Sequence, residues 1–146
     1  MELVFLSDKF YKDYKDCKEI EQKPFRPYIM LLISINNLLF AIPMRSHITH
    51  KHAYFTDSVN RCGVDFTKAV IINNKEYIIK NKVPIIRPHE YLKLVKSNDI
   101  IFKKFSRYLK GYIKAVKANA IETLQSYTYK YTTLCYFHKE LGLVQE

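Results

Sequence analysis

Residues 28–43, YIMLLISINNLLFAIP, constrain the fold more than any other stretch. Two β-rich apolar runs, 28–35 and 38–43, are joined by Asn36-Asn37, residues that tolerate positive φ. This pattern predicts a β-hairpin. The same Asn pair breaks the most apolar segment of the chain, 28–44, and leaves each side too short to cross a bilayer as a helix. Other short runs extend the sheet: 3–6 at the N-terminus, 64–72 and 75–80 as a second hairpin about Asn73-Asn74, and 83–86. The sheet should be compact and mostly antiparallel.

Helical signals flank it. Ser7 is placed to cap a helix running through Asp8, Phe10, Tyr14 and Cys17. Beyond Arg87, Pro88 can open a helix at its first turn and Ser97 can cap another. In that second helix Ile101, Phe105, Leu109, Tyr112, Ile113 and Val116 recur at spacings of three and four. A final amphipathic segment, 131–141, ends at Gly142, the residue a helix C-cap favours. The expected class is α+β in one domain, 1–146: a small curved sheet or barrel first, with helices packed on it mainly from the C-terminal part.

Charge narrows the partners. Lys and Arg number 24 against 14 Asp and Glu, a net charge of +10, which favours a polyanion such as nucleic acid or an acidic membrane surface. The N-terminus, MELVFLSDKF, has no basic n-region or long apolar run, so it does not read as a secretory signal, and the expectation is a cytoplasmic protein. Cys17, Cys62 and Cys135 are widely spaced and form no CxxC pair, as expected of reduced thiols acting as small core residues.

Two places carry candidate chemistry. On the long helix Lys103, Lys104, Arg107, Lys110, Lys114 and Lys117 lie largely away from the apolar stripe, with Tyr108 and Tyr112 among them. Cations interleaved with aromatic rings can grip a phosphate backbone and stack bases, although such a face can equally be a solvated helix surface. The other place is MRSHITHKH, 44–52, which holds three of the chain's five histidines directly after a strand. No HExxH, DxD or Walker A motif accompanies it, and few acidic residues are near it in sequence. A transition metal on His47, His50 and His52 would lack a carboxylate or Cys companion, so a reaction without metal or cofactor is expected.

The residue types suit cleavage of RNA by its own 2′-hydroxyl. One group removes that proton, another protonates the leaving 5′-oxygen, and cations stabilise the charge on the pentacoordinate phosphate. Arg45 and Lys51 can serve the last role, the histidines the first two, and Ser46 and Thr49 can hold phosphate oxygens. A basic loop that binds phosphate without chemistry has the same composition.

The chain resembles the endoribonuclease toxins of type III toxin-antitoxin systems, the ToxN and AbiQ group with its CptN and TenpN branches. The resemblance rests on KPFRPYIMLLI entering the hairpin, LFAIPMRSHITHKHAYF, the later GVDFTKAVII, IIRPHEYLKL and the basic helix RYLKGYIKAVKAN. It implies a barrel-like sheet similar to the Kid and MazF toxins and a metal-independent ribonuclease leaving a 2′,3′-cyclic phosphate. It also implies a role in phage defence and a partner, a repeated pseudoknot RNA antitoxin that the toxin processes and that then blocks it. The family's lysine before the first hairpin strand falls by spacing on Arg26, and its Thr-Ser pair falls on Arg45-Ser46. Guanidinium hardly deprotonates, which leaves His47 or His50 for proton transfer. The resemblance and composition together put Arg26, Arg45, Ser46, His47, His50 and Lys51 in the catalytic set, with Thr49, His52, Lys103, Arg107, Tyr108, Lys110, Tyr112 and Lys114 binding RNA. The rival readings are a toxin held by a protein antitoxin and a non-catalytic RNA-binding module.

Overall fold

The computed structural model describes residues 1–20 and 27–144, so Arg26 lies outside the described residues. The hairpin forms where the sequence places it. Strands β2 (Ile29–Ile35) and β3 (Leu38–Arg45) follow β1 (Glu2–Phe5) and helix α1 (Asp8–Asp13), and they pair antiparallel from Met30↔Pro43 to Ile35↔Leu38. Asn36 and Asn37 take φ of 51° and 64°, the successive positive values of a tight hairpin turn whose twist matches the strands. Ser7 caps α1 as expected, its Oγ accepting the Phe10 N–H. The helix stops at Asp13, sooner than the spacing suggests, with Tyr14 as its C-cap and the Tyr14 ring packed on Phe10 and Phe137.

The remaining strands differ from expectation. β4 (Ala53–Asp57) and β5 (Cys62–Asp65) form a hairpin that the sequence reading missed. The expected strand over 64–72 is broken into β5, a 3₁₀ turn at Phe66–Lys68 and the two-residue β6 (Val70–Ile71). The cause is local: the Asp65 carboxylate accepts both the N–H and the hydroxyl of Thr67, a side-chain cap that competes with an extended chain. Asn74 caps a 3₁₀ turn at Lys75–Tyr77 in the same way, so no second hairpin forms about Asn73-Asn74. Residues 83–86 are not a strand; Pro84 removes a ladder donor, and Val83 and Ile85 stand exposed.

All pairings are antiparallel in the order β1-β2-β3-β5-β4, with β6 also on β3. β3 therefore has two partners along one side: β6 at Phe40 and Ala41, then β5 at Met44 and Arg45. Pro43 falls between them, where a residue without an N–H fits. The edge strands β1 and β4 do not meet, so the expected barrel is an open sheet. Gly63 is required in β5, because a Cβ there would sit 2.0 Å from the Tyr54 carbonyl oxygen of β4.

Helices α2 (Pro88–Lys96), α3 (Asn98–Lys117) and α4 (Ile121–Gln125) come last. Pro88 opens α2 as expected. Ser97 precedes α3 but makes no side-chain cap; its Oγ accepts the Tyr54 hydroxyl instead. The buried stripe of α3 covers the sheet, with the Phe105 ring 5.1 Å from Phe40 and 5.7 Å from Phe66. The expected helix over 131–141 is a 3₁₀ turn at Thr133–Tyr136 followed by turns. There Thr132 caps the turn, and the Thr133 hydroxyl donates to the Ala69 carbonyl, bonds that a regular helix would forfeit. Cys62 is buried as expected, whereas Cys17 is half-buried and Cys135 exposed, so the thiols are not all core residues. No helix of the described residues is long and apolar enough to cross a membrane.

Candidate functional site

Three pieces of chain meet at one buried carboxylate. β3 ends on Arg45, β5 ends on Asp65, and the loop between β3 and β4 returns His50 to the same place. Asp65 is fully buried, and its Oδ2 accepts from the Arg45 guanidinium at 2.6 Å. Its Oδ1 receives the Thr67 hydroxyl at 2.6 Å, the Thr67 N–H at 3.0 Å and the His50 Nε2 at 3.1 Å. Burial by itself raises this carboxyl, but the bonds from His50, Thr67 and Arg45 outweigh it and hold Asp65 below its usual range. The result is an ionised hub that fixes a guanidinium and an imidazole.

The same bonds set the tautomer of His50. Its Nδ1 accepts the His52 N–H at 3.0 Å, so the ring proton sits on Nε2 and is donated to Asp65. Both His50 ring nitrogens are thus engaged in hydrogen bonds. His52 is different. Its ring lies against His50 (centroids 5.9 Å apart) and Tyr108 (5.8 Å), and burial, then His50 and Lys51, push its pKa below the ordinary 6.5. It presents a basic nitrogen at neutral pH.

The loop that carries these groups is braced from beneath. Ile48 is buried as a plug, and its N–H bonds the Arg61 carbonyl. Arg61 returns the support, its guanidinium donating to the Ile48 and His50 carbonyls at 2.8 Å each while stacking 4.3 Å over the Phe55 ring. Ser46, His47, Thr49 and Lys51 project outward from this braced loop, and His47 takes φ of 55° at the tip.

Two grooves flank the hub. Arg45 and Ser46 line one of about 380 Å³ together with Tyr28, Ile86, Arg87 and Glu90. Glu90 is buried there, accepting from Thr56 Oγ1 at 2.9 Å and pairing with Arg87 at 3.2 Å. Thr49, His50, Lys51, His52 and Thr67 line the other, about 550 Å³, against a wall of Tyr127, Thr128 and Tyr131. Lys68, on the turn that follows Asp65, closes the distance to that wall by donating to the Tyr131 carbonyl at 3.1 Å. Among the described residues no three His, Cys, Asp or Glu side chains converge as a metal ligand set.

On α3, Lys103, Arg107, Lys110 and Lys114 do share a face, lining a shallow groove with Phe102 and Ser106. Tyr108 and Tyr112 do not belong to it. They are 6% and 3% exposed, with Tyr108 donating to the Thr128 carbonyl at 2.8 Å and Tyr112 meeting His138 Nε2 at 2.6 Å. Both are core tyrosines, because positions 105, 108, 109 and 112 belong to the buried stripe of α3, with Tyr112 against Tyr129 and His138. Asp65, Thr67, Tyr127 and Tyr131 were missed by sequence reasoning. The Asp-x-Thr of VDFT was the available signal for the first two, since that spacing is a capping pattern; nothing local marks the tyrosines. Comparison with known protein families, curated proteins and solved structures finds no match for this chain.

Proposed function

We propose that this chain is a cytoplasmic, metal-independent endoribonuclease toxin of the type III kind, which cleaves RNA and is restrained by a small structured repeat RNA. The observation that supports it best is the buried Asp65 holding Arg45 and His50 rigid between two grooves, on a protein of net charge +10. In this reading the neutral His52 accepts the 2′-hydroxyl proton and the 2′-oxygen attacks the adjacent phosphorus. The bond to the 5′-oxygen then breaks, that oxygen takes a proton from a second group, for which the exposed His47 is the candidate, and a 2′,3′-cyclic phosphate remains. Arg45, aimed by Asp65, meets the charge that builds on the phosphorane, with Ser46 as hydrogen-bond donor. His50 orients the His52 backbone and keeps Asp65 ionised.

The test is cleavage of a single-stranded RNA in EDTA, with the product ends mapped. A cyclic phosphate end and no cleavage of a 2′-deoxy substrate are expected. Activity that vanishes in EDTA and returns with one divalent metal overturns the mechanism. The second reading, a non-catalytic RNA-binding module, draws on the full occupancy of both His50 nitrogens, and intact RNA after long incubation would favour it.

A further inference from the structure

The groove beside His52 has one wall that the chemistry above does not use. Tyr127 and Tyr131 are 85% and 52% exposed, large aromatic surface left in water, and both face Lys51 and His52 across the groove. The backbone beneath them is fixed. Tyr129, between them, is buried and donates to the Tyr108 carbonyl at 3.0 Å, while Tyr108 bonds the Thr128 carbonyl and Lys68 bonds the Tyr131 carbonyl. Four backbone bonds, from Tyr129 and Lys130 to Ser126, from Thr132 to Tyr129 and from Ser126 to Thr123, complete the frame. Lys130 lies with its Nζ 5.4 Å from the Tyr131 ring centre, adding a cation beside the face.

We infer that Tyr127 and Tyr131 form a stacking platform for an unpaired base of a single-stranded RNA whose phosphate lies at Lys51 and His52. A backbone already fixed loses little entropy on binding, every base offers a π-face, and the cations at the groove supply the phosphate contacts. A duplex cannot use the platform, because its bases are already stacked and buried between strands. The assignment rests on the part of the proposed function that has this chain bind RNA.

The probe is a fluorescein-labelled 2′-O-methyl oligoadenosine eight nucleotides long, which cannot be cleaved, set against a duplex of the same chemistry. Wild type should bind the single strand more tightly than the duplex. Tyr127→Leu and Tyr131→Leu should each weaken single-strand binding about tenfold with an unchanged salt slope, whereas the Phe variants keep affinity, since stacking needs the ring and not the hydroxyl. Lys51→Ala should instead flatten the slope. Leu variants that bind as wild type, while wild type still cleaves RNA, overturn the platform and leave the ribonuclease reading standing. Ring-dependent binding without any cleavage supports the platform and removes the ribonuclease. Absence of single-strand binding overturns the platform, and the cleavage assay in EDTA decides the ribonuclease separately.

Discussion

Arg45, His50 and Thr67 all depend on one carboxylate, so Asp65 carries more of the site than any residue on the loop. Asp65→Ala leaves a guanidinium and an imidazole without their partner and should cost about 3 kcal/mol of stability, read as a shift in denaturant midpoint. Cleavage should fall at least about a hundredfold, because Arg45 loses its aim. The native protein should also show acid sensitivity from this group. With its folded pKa held below the usual 3.8, Asp65 contributes stability that is present above that value and lost as pH falls through the folded value, a limb absent from Asp65→Ala. His52 gives the second test. Its pKa is lowered from 6.5, so the basic form that the proposed cleavage requires predominates at neutral pH, and the rate should rise with pH on the acid side of neutrality. His52→Ala should lose about a hundredfold or more and remove that rise. His50→Ala should lower the rate less and keep it. If His50→Ala is the more damaging in rate and erases the rise, the roles assigned to the two rings are reversed.

The braced loop and the two-faced helix α3 show what patterning does and does not reveal at the level of elements. Asn36-Asn37, the Ser7 cap and Pro88 act through their immediate neighbours, so the hairpin, α1 and the start of α2 were legible. Side-chain caps by Asp65, Asn74 and Thr132 break continuous apolar runs, and the strands and helix expected over them do not form. The basic loop was legible because its residues are consecutive. Asp65 lies twenty residues from Arg45, and Arg61 reaches the loop from the far side of β4, so neither could be found by spacing near the histidines. Arg61→Ala removes two hydrogen bonds and a ring contact, and hydrogen exchange should quicken at 46–52 while β2 and β3 stay protected. On α3, Tyr108→Phe should lower stability by about 1–2 kcal/mol through the unpaired Thr128 carbonyl yet leave RNA affinity unchanged. The reverse is expected of Lys103→Glu, Arg107→Glu and Lys110→Glu together, which should weaken RNA binding and reduce its salt dependence with the fold intact.

For the whole molecule, the charge of +10 on 146 residues means that RNA binding should fall steeply with salt. If the proposed function holds, coexpression with the native upstream DNA should yield a complex with a discrete short RNA ending in a cyclic phosphate. Recovery with a small acidic polypeptide and no RNA would favour a protein antitoxin instead. The order in which the site's parts leave the ribosome adds a consequence of its own. Arg45 comes from β3, but the carboxylate that aims it arrives with β5, and the turn behind that carboxylate rests on Phe105 of α3 through Phe66. A chain still being synthesised holds Arg45 without its anchor until β5 has emerged, and lacks the Phe66–Phe105 contact behind that anchor until α3 has followed. Contacts of such long sequence separation form late. In the reading proposed for this chain, the messenger and ribosome that are making it would stay uncut, and cleavage would wait until the protein is free.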